Sequence, residues 1–133
     1  MPVSTWPDWL RNPSGNGYPP LFRLAVSAAS GAGLALSFTW LYLPIYAWIG
    51  VGILLMMLRG AGQKTAFFCG FLHALAFVLT SVPWIAEVLA VHGGMSLLAG
   101  WGVLLLIAAA WGVLTGGFAW AANRVSRRSH ALG

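Results

Sequence analysis

The sequence predicts an all-α, polytopic membrane protein with four transmembrane helices and both termini in the cytoplasm. Three observations carry this. First, 59% of the 133 residues are hydrophobic and 7% are charged, against roughly 25% charged residues in a soluble domain. Second, the apolar residues fall into runs broken by short polar or proline-containing stretches, and at about 20 residues per span the length accommodates four crossings. Third, all seven basic residues fall on one side of a four-span chain, and the positive-inside rule makes that side the cytoplasm. Seven basic and two acidic side chains are too few to clothe a soluble globule of this size. The composition therefore excludes a typical soluble enzyme, a disordered tail and a nucleic-acid-binding domain, despite a net charge of +5. A single cysteine excludes a disulfide framework and a multi-cysteine metal site.

Residues 1–22 read as an irregular N-terminal arm. Pro2, Pro7, Pro13, Pro19 and Pro20 oppose a helix interior, and Asn12, Gly15, Asn16 and Gly17 favour turns. The transmembrane domain is placed at 23–125, with spans at about 24–40, 45–58, 65–91 and 95–122, and a basic cytoplasmic tail at 126–133. In span one, Ala25, Ala29, Gly33 and Ser37 recur every four residues, a small-residue face that lets another helix approach closely in lipid. Pro44 separates spans one and two, flanked by Trp40, Tyr42, Tyr46 and Trp48, which read as an interfacial aromatic belt around a tight turn. Span two is short, so a re-entrant hairpin made by the first two runs is an alternative. Arg59 to Lys64 form a polar, flexible loop. Span three is longer than a bilayer requires, and Pro83 is expected to kink it or end its lipid-buried part, with Trp84 as an interface anchor. His92, Gly93 and Gly94 mark a turn. In span four, Ala108, Gly112 and Gly116 form a second small-residue stripe, and Arg124, Arg127 and Arg128 stop transfer at its end.

The charges order these spans. Arg11 and Arg23 precede span one, Arg59 and Lys64 lie between spans two and three, and Arg124, Arg127 and Arg128 follow span four. Three spans would scatter them over both faces. A cleaved signal peptide is the rival reading of the first run, but no small-x-small site followed by a polar start is visible.

Few residues carry chemistry. Glu87 is the single acid in the apolar part, and an ionisable group near a span is a functional candidate because burying it is costly. Its place after Pro83 and Trp84 and before the His92 turn puts it at the outer boundary, partly wet. His92 lies five residues further on, a spacing that does not align with Glu87 on one helix face. Cys69 and His73 lie one turn apart, a spacing open to a thiolate–imidazole pair. With no third group and an apolar setting, they read as a buried thiol beside a satisfied histidine, and two ligands fall short of a zinc site. Glu, Lys and Cys form the catalytic trio of nitrilase-type enzymes. Here Glu87 stands about 27 Å along a helix from Cys69 at 1.5 Å per residue, outside hydrogen-bond reach. No catalytic residue, metal ligand set or cofactor is assigned.

The stretch from about Ser27 to Val125 resembles the N-terminal membrane region of apolipoprotein N-acyltransferase. The resemblance rests on Leu34 to Phe38, Pro44 to Trp48 and, best, Trp84-Ile-Ala-Glu-Val-Leu-Ala-Val-His-Gly-Gly-Met95 with the small-residue-rich helix after it. His92 takes a place where the family commonly has an aromatic residue before its glycines. Pro44 alone remains of the family's proline-rich turn, and Glu87 maps to no known family role. The resemblance implies a multi-pass protein of the bacterial inner membrane, taking part in phospholipid-to-lipoprotein N-acyl transfer through a thioester on a nitrilase-like periplasmic domain. That domain would follow further helices, so the chain is expected to be a fragment, a truncated reading frame or a stand-alone N-terminal half, a scaffold without catalysis by itself. The implied partners are membrane phospholipid and, beyond it, a nitrilase-like periplasmic domain or lipoprotein substrate, with no nucleic acid. Trp40, Tyr42, Tyr46, Trp84, Glu87 and His92 are the candidate outer-rim contacts to lipid or to that domain. The alternative is a small four-helix transporter or channel subunit acting as an oligomer, with Glu87 as its coupling carboxylate. A membrane-anchoring or assembly protein is a third.

Overall fold

The computed structural model describes residues 18–38 and 45–131, without the side chains of Tyr46 and of residues 127–131. These residues form five helices: α1 (Pro20–Leu36), α2 (Ile45–Leu58), α3 (Gln63–Ser81), α4 (Trp84–His92) and α5 (Leu97–Ala131).

Each boundary has a local cause. α1 starts on Pro20, ahead of the expected Leu24, because a proline in the first helical turn lacks only an N–H that has no intrahelical acceptor there. Pro19 is extended and its carbonyl accepts the Arg23 amide at 3.2 Å. α2 matches the second predicted span. It ends in a turn in which Ala61 N–H reaches Leu58 O at 3.1 Å, with Gly60 at φ 64°, a left-handed conformation that suits glycine. The expected third span divides in two. Val82, held out of the helical region at φ −131° and ψ 41°, precedes Pro83, whose ring disfavours helix at the residue before it. α4 then starts on Trp84. It stops at Gly93, followed by Gly94 at φ 64°. α5 opens with the Ser96 hydroxyl accepting the Ala99 amide at 3.2 Å, and runs for 35 residues to Ala131. The arginines expected in a separate tail are thus helical in backbone.

α3 is the central helix, packed along α1 on one side and α5 on the other, with α2 on α1 and α4 on α5. Contacts fix the directions. Arg23 of α1 reaches the last turn of α2, and Phe38 meets Phe77 edge-on at 6.4 Å between centroids. Phe67 and Phe71 of α3 face Gly116 and Gly112 of α5 in reverse order. α1 and α3 therefore run parallel, and α2 and α5 run against them. Arg23, Arg59, Lys64 and Arg124 gather at one end of the bundle. Glu87 and His92 stand at the other.

Packing is close where side chains are small. A Cβ on Gly31 would collide with His73 O, and one on Gly70 would stand 2.7 Å from Thr115 O. One on Gly100 would meet Ala86 O at 2.6 Å. The stripe expected on α5 is buried at Ala108, Gly112 and Gly116. The stripe expected on α1 is not the packing face. Ala25, Ala29 and Gly33 are exposed, only Ser37 of that set is buried, and space lies open around Gly33. The face that packs carries Arg23, Ser27, Ser30, Gly31 and Ala35. A serine or arginine turned to lipid is costlier than an alanine there, so the polar residues set the rotation of the helix.

Large apolar side chains point outward. Trp48 is 78% exposed, Leu106 71% and Phe118 69%, a pattern unfavourable in water and suited to a hydrocarbon surround. α3 and the Leu97–Ser126 part of α5 are long and apolar enough to cross a bilayer, and α1 and α2 are shorter apolar helices. α2 spans about 21 Å at 1.5 Å per residue.

Candidate functional sites of the bundle

Three groupings of polar side chains stand out. The first locks the basic end. Arg23 is 4% exposed. Its Nη1 donates to Met57 O at 2.6 Å and to Arg59 O at 2.7 Å, and its Nε donates to Tyr18 O at 3.2 Å. The guanidinium also lies 5.8 Å from the Tyr18 ring centroid. Two of these carbonyls belong to the last turn of α2 and its exit, where unpaired carbonyls and the helix dipole attract a cation. From the opposite side, Asn123 of α5 donates from Nδ2 to Ala61 O at 2.9 Å. The α2–α3 turn is therefore held by α1 and by α5. Asn123 is buried, on the same face as Gly112, Gly116 and Ala119. Sequence reasoning missed both Arg23 and Asn123 as partners. The available signal was a lone strong donor just beyond the end of an apolar run, Arg23 before the first and Asn123 after the last.

The second grouping is buried between α1 and α3. His73 Nδ1 lies 2.9 Å from Ser30 Oγ and 3.2 Å from Ser27 O. Ser30 Oγ also lies 2.8 Å from Ser27 O. Cys69 is fully buried, one turn from His73, and meets the Ser27 hydroxyl, which has no regular hydrogen bond. A thiol is a weak partner, so this contact leaves the Ser27 hydroxyl poorly satisfied. His73 is thus tied to α1 across the helix pair. Histidine and serine side chains bridging helices in lipid contribute about 0.6 to 2 kcal/mol each. The cysteine and histidine are brought together as expected, a buried thiol next to a hydrogen-bonded imidazole.

The third grouping is the rim opposite the basic end. Trp84 is 57% exposed, and Glu87 and His92 are exposed. Trp84, Val88 and Val91 share one exposed face of α4, with Glu87 on its flank, while Ala86 is buried against Gly100 of α5. Glu87 lies in the first turn of α4 and His92 in the last. Trp40 and Tyr42 lie outside the described residues, as does the Tyr46 side chain. Cys69, Lys64 and Glu87 are not assembled. Cys69 is buried in α3, Lys64 is exposed at its first turn, and Glu87 lies on α4 beyond the Val82–Pro83 break.

The arrangement defines a class: helices joined by small residues and inward-facing polar groups, presenting their large apolar side chains outward. Residues 30–132 match the family model described as the apolipoprotein N-acyltransferase N-terminal domain. The chain belongs to that family. No curated protein and no solved structure matches it. The match leaves no room within the 133 residues for a nitrilase-like catalytic domain.

Proposed function

We propose that the chain forms the membrane-embedded, non-catalytic part of an apolipoprotein N-acyltransferase of the bacterial inner membrane. It would act in phospholipid-to-lipoprotein N-acyl transfer as a scaffold that holds the nitrilase-like domain at the outer surface. The carrying observation is the family match over residues 30–132. Four spans with both termini cytoplasmic agree with the gathering of Arg23, Arg59, Lys64 and Arg124 at one end. On this reading α4 lies at the periplasmic boundary. Trp84, Glu87 and His92, with Trp40, Tyr42 and Tyr46, contact phospholipid head groups, the catalytic domain or the lipoprotein.

The transporter reading needs a carboxylate inside the bundle, and the exposure of Glu87 on α4 supports the scaffold instead. The test is reconstitution of the chain in vesicles with a diacylated lipopeptide, with and without a nitrilase-like periplasmic domain of the same family. Acyl transfer is expected only when both are present, and it should survive Cys69→Ser. Transfer by the chain alone that vanishes in Cys69→Ser would overturn the scaffold. Proton-coupled flux lost in Glu87→Gln would replace it with the transporter.

A further inference from the structure

We draw no further inference here: the strongest candidate, the buried side-chain cluster of Ser27, Ser30, Cys69 and His73 between α1 and α3, carries nothing, because it rests on a lone cysteine packed among Leu54, Leu58 and Ala119 and on a histidine already bonded to Ser27 and Ser30, and nothing in the structure points to a ligand there.

Discussion

Replacing Arg23 with methionine should loosen the whole basic end of the bundle. Methionine keeps an apolar stem like that of arginine, is shorter, and removes every donor. Three hydrogen bonds from a charged donor are lost, to Met57 O, Arg59 O and Tyr18 O, each contributing about 1.5–3 kcal/mol net in typical cases. Relief of a desolvated charge offsets part of this, since Arg23 is 4% exposed. Met57 O and Arg59 O are left without this partner, and an orphaned carbonyl costs about 1–3 kcal/mol where water cannot reach it. These costs overlap, and the expected loss is about 3 kcal/mol, the scale for removing one partner of a buried charged contact. Arg23→Lys keeps the charge but loses the planar fork that serves several carbonyls at once, so about half the loss is expected. The assay is SDS-driven unfolding in mixed micelles, followed by far-ultraviolet circular dichroism, with helicity before SDS confirming that each variant starts folded. Asn123→Leu removes one neutral bond to Ala61 O, about 1 kcal/mol. Because both side chains hold one short turn, the double variant should depart from additivity by about 0.5–1 kcal/mol. An Arg23→Met protein within about 0.5 kcal/mol of the parent, the scale of an ordinary surface substitution, would refute the lock.

Two further predictions separate packing from topology. Gly31→Ala drives a Cβ into His73 O, whereas Gly33→Ala points into open space. The first should destabilise the bundle by about 1–3 kcal/mol through overpacking, and the second should be neutral or stabilising by up to about 1 kcal/mol through helix propensity; equal effects in SDS unfolding would sink the assigned α1 face. In a Cys69→Ser background, cysteine at Gly93 should react with an impermeant maleimide from outside the cell and cysteine at Lys64 only after permeabilisation, and labelling of both from one side would exclude the four-span topology.

The two small-residue stripes show what was legible and what was not. On α5, Ala108, Gly112 and Gly116 pack as their spacing suggests, and Asn123, seven residues past Gly116, falls on the same face. Small and polar residues agree there, so either criterion finds the interface. On α1 they disagree. Ala25, Ala29 and Gly33 form one stripe, and Arg23, Ser27 and Ser30 with Gly31 form another. The spacing of small residues gives two admissible answers, and the polar set breaks the tie because lipid penalises an exposed serine far more than an exposed alanine. His73 then finds Ser30 because both follow the same rule from facing helices. Trp84, Glu87 and His92 are exposed near Pro83 and the Gly93 turn, and Pro83, expected to kink or end the third span, breaks the helix. That break places Trp84 and Glu87 on a separate element, α4.

The same rule marks where sequence reading stops. α2 carries no charged or amide side chain and no serine or threonine between Ile45 and Leu58, so nothing polar sets its rotation. Large apolar residues surround it almost evenly, and lipid is as apolar as any of them, so burial alone cannot choose a face. Among its described residues the buried positions are Gly50, Leu54, Met57 and Leu58. The choice comes from its neighbour α1. Near its middle, Gly50 lies against α1, where a Cβ would stand 3.2 Å from Ser30 O. At its last turn, Arg23 grips Met57 O and Arg59 O. The orientation of the least polar helix is therefore set by the most polar residue of its neighbour. A change at Arg23 should accordingly be felt along α2 before it is felt between α3 and α5, which pack closely at Gly70, Gly112 and Gly116 and through the buried Cys69, Val78, Leu104, Ala108 and Ala119.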